Sequence, residues 1–457
     1  MEESFSGILT FSFMVFIVWL GALLRRRFRL LQLSLLPASI VGGLLGFFLL
    51  NLGWTPSNQN SEDFVVFAFH FFTLSFMSLA LTRESAPERG ARSRSTNKLG
   101  ALWLSVAWTV SLAMQALVGL LGISLANHFS EQTLPQSLGI LVTHGFTQGP
   151  GQALAMGSIW QEQYSVQDAV NFGLIYASVG FIIAFVVGIP IARWALRKNL
   201  NENKQVSLSQ EFVIGFYRSE NRPETGRDIT HSSNVDSLVY HLGILGFAYL
   251  GTDAYLLEAQ EIFKNSSFLG LPVVILFSHN LFFVHGLLIC LLLRTLIAKL
   301  KFDHLLDVPT QKHITGSSVD LMIASTVMSI QISFLFNYLL PIVLVCVLVT
   351  LATLLLCFGF GRRLKRLKME RSLALFGCCT GSTGSGLLLL RLLDPNFSTS
   401  VSKELVYFNA LIIFLSMHIL LFIAPLTPSI DLMYLLVIYL VTCVVGFFIL
   451  FFLSPRT

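Results

Sequence analysis

Two stretches of this otherwise apolar chain concentrate groups that can hold a ligand. They are Thr143-His144-Gly145-Phe146-Thr147-Gln148-Gly149-Pro150-Gly151 and Gly377-Cys378-Cys379-Thr380-Gly381-Ser382-Thr383-Gly384-Ser385-Gly386. Their hydroxyls can bond a carboxylate or coordinate a cation, and each stretch leads into a new apolar run. Pro150 suits a first helical turn, where its missing N–H is not needed. A helix starting at such a point offers unpaired N–H groups and a partial positive charge, which favour an anion. Unwound carbonyls beside it suit sodium, a hard cation that prefers oxygen.

On this reading Thr147, Gln148, Gly149, Ser382, Thr383, Gly384 and Asn409 are candidate ligands for an anionic solute. Gly145, Thr380, Gly381, Ser385 and Asn171 are candidate sodium ligands. Asn171 and Asn409 are included because each lies early in the helix after one of the two stretches, although a buried Asn also serves simply to join helices. His144 has two readings, a proton carrier or solute ligand, or a group that holds the turn together with Pro150. Gly149 and Gly384 are expected to need the positive φ that glycine alone takes cheaply. The competing reading of the glycines is close helix packing, since Gly145 and Gly149 stand four apart. Packing alone does not call for Thr, Ser, Gln and Pro among them.

The elements that position these groups follow from composition. The 457 residues are 54% hydrophobic and 12% charged, with a mean hydropathy of +0.72. Soluble domains run near a quarter charged, so this is an all-α polytopic membrane protein. The net charge of +5 carries no suggestion of nucleic acid, because what matters in a membrane chain is where the basic residues fall. All six cysteines lie in apolar runs, with no zinc spacing and no disulfide framework. Arginines follow the first apolar run rather than precede it, so Phe5–Leu24 is expected to stay as a helix rather than act as a signal peptide.

Thirteen apolar segments, among them Phe268–Leu293 and Val319–Asn337, are long enough to cross a hydrocarbon core of about 30 Å. If all thirteen cross, the basic ends at Arg25–Arg29 and Arg193–Lys198 fall on opposite faces, against the positive-inside rule. If the two glycine-rich segments instead enter and leave on one side, eleven spans remain, with the N-terminus outside and the C-terminus cytoplasmic. The inner loops then hold every Lys and Arg among the 30 except Lys264. The first hairpin, 137–160, dips from outside and the second, 372–395, from inside.

The same order of five spans with a hairpin between the fourth and fifth occurs in 1–198 and again in 237–425. An odd number of spans makes the second unit inverted. Residues 199–236 form a polar cytoplasmic linker, partly disordered by composition, and 430–457 an extra C-terminal helix. Residue identity between the halves is weak, so the repeat rests on hydropathy and glycine placement, and coincidence of order is the alternative.

The motif Thr143 to Gly151 resembles the first hairpin motif of the bacterial sodium/glutamate symporter family. Thr380 to Arg391, closing with Asp394-Pro395, resembles the second, and Leu36-Pro37-Ala38-Ser39-Ile40-Val41-Gly42-Gly43-Leu44 is similar to that family's second helix. Phe146 delays the threonine of the first motif to Thr147, and the linker and extra helix are further departures. The resemblance implies sodium-coupled uptake of glutamate or a related anionic amino acid across the inner membrane by alternating access, inverted repeats and a homodimer. Sodium is then the coupling ion, no cofactor is needed, the partners are solute, sodium and bilayer lipid, and the protein is not an enzyme. A citrate- or dicarboxylate-type carrier on the same plan is the alternative solute class. An intramembrane sensor or enzyme built on His144 ranks lower, because no nucleophile–base pair or metal set accompanies it.

The topology is tested by single cysteines in a cysteine-free background. Gln161 and Asn127 should label from the outer face and Ser398 from the inner face; labelling of Gln161 and Asn127 from opposite sides would overturn the hairpin.

Overall fold

A backbone in hydrocarbon must close its hydrogen bonds within its own segment, and almost every element here is helical. The computed structural model describes residues 2–55, 59–82, 91–130, 133–203, 210–223, 226–231, 233–268, 271–395 and 397–457. The larger helices are α1 (Glu2–Arg27), α2 (Ala38–Asn51), α3 (Asp63–Leu81), α4 (Ala91–Phe129), α5 (Ser137–Phe146), α6 (Pro150–Tyr164) and α7 (Ala169–Arg197). They continue with α8 (Ser237–Phe263), α9 (Phe282–Lys299), α10 (Val308–Met328), α11 (Leu339–Gly361), α12 (Lys368–Thr380), α13 (Thr383–Leu393), α14 (Val401–Met417) and α15 (Leu432–Leu453). Among the described residues, three short helices lie between them: Arg29–Ser34, Gln210–Ile214 and Ile332–Asn337. One antiparallel pair, Ser267–Phe268 with Leu271–Pro272, is the exception to an all-helical chain among the described residues.

Seven of these helices are long and apolar enough to cross a membrane: α1, α3, α4, α7, α9, α11 and α15, the first and third over part of their length. The bent run from Val401 to Ser429 makes an eighth if it is one span. Three further helices of the expected eleven do not meet that measure: α2 has only 14 residues, and α8 and α10 are more polar.

Two expected segments are corrected. Phe268–Leu293 is not one helix: 3-10 turns at Val273–Phe277 and His279–Leu281 precede α9, and the Ser278 hydroxyl caps the second turn at Asn280 N–H. Val319–Asn337 is displaced, because α10 starts at Val308 and stops at Met328. The Asp307 carboxylate caps Thr310 N–H and a proline occupies the first turn, a start signal stronger than the local dip in hydropathy. Within the linker, Gln210–Ile214 and Ser219–Asn221 are helical turns; residues 204–209, 224–225 and 232 lie outside the described residues, as do Arg83 and Arg89 of an expected inner loop.

The chain divides into two units. Unit one holds Met1–Leu20, Gly42–Glu88 and Tyr217–Ser329, and so most of α1 and α2 with α3, α8, α9 and α10. Its α3 and α10 are tied by the Ser78 hydroxyl, which bonds the Gln311 carbonyl at 3.0 Å and Thr315 Oγ1 at 2.8 Å. Unit two holds Gly21–Val41, Arg89–Phe216 and Ile330–Thr457, and so α4 to α7 and α11 to α15. Each unit draws on both halves of the sequence, and both glycine-rich stretches belong to unit two.

The base of α12 in unit two is fixed by a buried ion pair. Arg371 donates to both oxygens of Glu404 on α14, Nε to Oε2 at 2.8 Å and Nη2 to Oε1 at 2.7 Å, with the side chains 4% and 0% exposed. Arg371 Nη1 also donates to the Arg366 and Thr457 carbonyls at 3.0 Å, and Ser400 Oγ to Glu404 Oε1 at 2.7 Å. Such a pair is weak evidence of net stability, but removing one partner strands the other. Arg371→Leu should therefore lower stability by about 3–5 kcal/mol, whereas Arg371→Met with Glu404→Leu recovers most of it. Thermal unfolding in detergent measures both; equal losses in the single and double variants would refute the account.

Candidate functional site

Each glycine-rich stretch breaks a helix of unit two. After α5, Thr147 keeps helical geometry, and Gly149 turns the chain at φ 88°, ψ −179° before Pro150 starts α6. An L side chain adopts that backbone only with strain. The second break is built differently. Gly381 has φ −146° and Ser382 is extended at φ −168°, with its hydroxyl accepting from Ser385 N–H at 3.4 Å, and α13 starts at Thr383.

Gly384 does not have a positive φ, which corrects the expectation for that residue. A Cβ built on it would meet only Ser382 Oγ, at 3.3 Å. Gly384 therefore supplies open space beside the start of α13 rather than a special backbone.

The two breaks lie against each other. A Cβ on Gly149 would stand 3.1 Å from the Gly381 carbonyl oxygen, and Gly180 of α7 admits the Thr380 carbonyl closely. The joint is Gln115 of α4, fully buried. Its Oε1 accepts from Thr147 Oγ1 at 2.7 Å. Its Nε2 donates to the Cys379 carbonyl and to Thr353 Oγ1, each at 2.9 Å, and lies 3.2 Å from Ser111 Oγ. Thr147 Oγ1 is also 3.3 Å from the Cys379 carbonyl. One amide thus satisfies groups on both breaks and on α11, where no water-filled bulk is at hand.

His144 lies in the last turn of α5, and its Nδ1 is 2.6 Å from Gln148 Oε1. With Nδ1 as the donor, Nε2 is an acceptor. Among the described residues, buried His144 Nε2, Gln148 Nε2 and the Tyr176 and Ser178 hydroxyls have no protein partner. Groups of this kind carry a cost that a ligand or water would relieve. The ring also meets Trp160 edge-on, with centroids 6.1 Å apart and planes at 83°.

The structure sorts the remaining candidates. Thr383 Oγ1 donates to Asn409 Oδ1 at 2.9 Å, which brings Asn409 to the second break. Ser385 is buried in the first turn of α13. Thr380 Oγ1 bonds back to the Phe376 carbonyl at 2.7 Å, leaving it within its own helix. Gly145 packs: a Cβ there would lie 2.8 Å from Ala177 N and from Tyr176 Cβ. Gly377 and Gly386 likewise let α12 and α13 touch backbone to backbone. Asn171 is not brought to the breaks. Gly180 marks their level on α7, and Asn171 stands two and a half turns earlier, about 13 Å along the axis at 1.5 Å per residue.

Gln115 was missed in the sequence. Its signal was an amide alone in the middle of a long apolar helix, where a polar side chain usually bonds a neighbouring helix. Asp320 was also passed over; it lies inside α10 of unit one.

A sodium/glutamate symporter family model matches residues 4–387, a span that contains the first break entirely and the second up to the start of the leucine run. No curated protein matches the chain.

Gln115→Leu should leave the Thr147 hydroxyl and the Cys379 carbonyl short of a partner, at about 1–3 kcal/mol for each unsatisfied group. The expected outcome is a lower unfolding temperature in detergent and at least a tenfold slower solute flux. Full retention of both would show that Gln115 does not join the breaks.

Proposed function

The chain belongs to the sodium/glutamate symporter family, and we propose that it carries glutamate or a related anionic amino acid inward with sodium by alternating access. The observation that carries this reading is the meeting of two helix starts at the breaks, with no cationic side chain among the residues that form them. In the first turn of α13 the N–H groups of Thr383 and Gly384 have no carbonyl one turn earlier within the helix, and α6 offers Gly151 and Gln152 in the same way. Both ends carry partial positive charge, which favours a carboxylate.

The open side of Gly384 admits the solute carboxylate to the α13 N–H groups, where the hydroxyl of Thr383, oriented by Asn409, and that of Ser382 add polar contacts. Gln148 and Thr147 face the solute from the first break, with Gly149 holding the turn. Sodium takes oxygen ligands at the unwound segments, among them the carbonyls of Thr380 and Gly381 and the Ser385 hydroxyl. Gly145 and Asn171 drop out of the ion site, and His144 with Pro150 shapes the first turn. The broken pairs act as re-entrant hairpins of two inverted repeats, 1–198 and 237–425. Helices of 10, 15, 13 and 11 residues support this, since each is too short to cross about 30 Å. The charge asymmetry supports an outside N-terminus and a cytoplasmic C-terminus in an inner membrane, and the family resemblance supports a homodimer.

The test is uptake of labelled glutamate into proteoliposomes under a sodium gradient. Uptake should be concentrative and fall at least tenfold when potassium replaces sodium at fixed voltage. Competition by excess citrate but not by aspartate would move the solute to the dicarboxylate and tricarboxylate class. Uptake that follows a pH gradient and ignores sodium would overturn the reading.

A further inference from the structure

The polar linker after α7 does not simply leave the helices. Its first residues lie across the base of the second broken pair and bond to both of its arms. The Glu202 backbone N–H donates to Glu370 Oε1 at 2.6 Å, and the Leu367 N–H at the start of α12 donates to the Glu202 carboxylate. Arg366 reaches the same carboxylate at 3.5 Å. On the other arm, Asn203 Nδ2 donates to Asp394 Oδ1 at 3.1 Å and to Ser398 Oγ at 3.0 Å. Asn201 Nδ2 donates to the Asn203 carbonyl and stiffens the crossing.

Asp394 is a prepared anchor. Its Oδ1 accepts from the Ser398 N–H at 2.9 Å and hydroxyl at 2.8 Å, and its Oδ2 from the Thr399 N–H at 2.8 Å and hydroxyl at 2.6 Å. Asn203 therefore docks on a carboxylate that the turn after α13 already holds in place.

We propose that Asn201, Glu202 and Asn203 form a releasable strap that holds the two arms of the second broken pair together and must let go for that pair to open during transport. The inference rests on reading the pair as a moving re-entrant hairpin. Two features separate the strap from a permanent joint. The Arg371–Glu404 pair on the same base is almost wholly buried, whereas Arg366 and Glu202 are 76% and 37% exposed, so water competes for the strap. The closed strap also leaves an unmet demand: Glu370 is fully buried, and among the described residues its Oε2 has no hydrogen-bond partner. Opening to water would satisfy that oxygen, which brings the closed and open states nearer in free energy. Glu202 and Asn203 are thus positioning residues, acting on the site through the hairpin.

The strap is tested by fixing it and by releasing it, with the six native cysteines replaced. Asn203→Cys with Ser398→Cys, oxidised to a disulfide, should reduce sodium-driven glutamate uptake at least tenfold, with recovery on reduction. Asn203→Asp sets a carboxylate against Asp394 and should raise labelling of Thr383→Cys by an impermeant thiol reagent from the linker side several-fold, without raising it from the opposite side. Unchanged uptake in protein shown by gel to be cross-linked would overturn the strap, as would equal labelling with and without Asn203→Asp. Sodium-driven uptake by the reduced double-cysteine protein is the separate check on function. Its absence there and in the unsubstituted protein counts against the transport reading, whereas its presence with no response to oxidation counts against the strap alone.

Discussion

A polar group buried in an apolar interior must find a partner, and at the two breaks of unit two that demand organises the site. Ending a helix inside the unit frees carbonyl and N–H groups where bulk water cannot serve them. Gln115 answers part of the demand by accepting from Thr147 and donating to the Cys379 carbonyl and Thr353. Ser382 answers another part by capping α13. The first-turn N–H groups of α6 and α13, the Gly381 carbonyl and the atoms of His144, Gln148 and Tyr176 that lack a partner among the described residues remain as interior polarity for use.

The glycines of the two motifs divide by physical task. Gly145, Gly377 and Gly386 lie where a Cβ would strike neighbouring backbone, so they set how closely helices approach. Gly149 is required by its backbone angle, and Gly384 keeps space open. The packing reading therefore holds at Gly145, Gly377 and Gly386, whereas Gly149 and Gly384 serve the turn and the space beside it. Close packing by the first group holds the breaks together, and the second group keeps the meeting point turned and accessible.

At the base of the second broken pair, interactions of different exposure lie side by side. Arg371 and Glu404 exclude water and give α12 a fixed foot on α14. The linker contacts at Glu202 and Asn203 are wetter and exchangeable. A buried ion pair is costly to break because it strands a charge, whereas a half-exposed hydrogen bond gives way to water at modest net cost. That contrast lets one element be firmly seated and still have one releasable side.

Hydropathy, the confinement of basic residues to one set of loops, and Gly, Ser, Thr and Pro within apolar runs were enough to read a polytopic helical chain with two broken segments. These are local properties, since hydrocarbon length sets helix length and glycine and proline set where a helix stops. The start of α10 was also local, written in Asp307 and the proline after Val308, but hydropathy alone overlooked it. The partnership of the breaks was not legible. Thr147, Gln115 and Cys379 lie far apart in the chain, and only the packing of α4 against α5 and α12 makes one amide serve both stretches. The same holds for Asn171 and Asn409. Their matched sequence positions suggested equal roles, but the break level falls at Gly180 on α7 and beside Asn409 on α14, because residues share a site only where helix contacts bring them to the same depth.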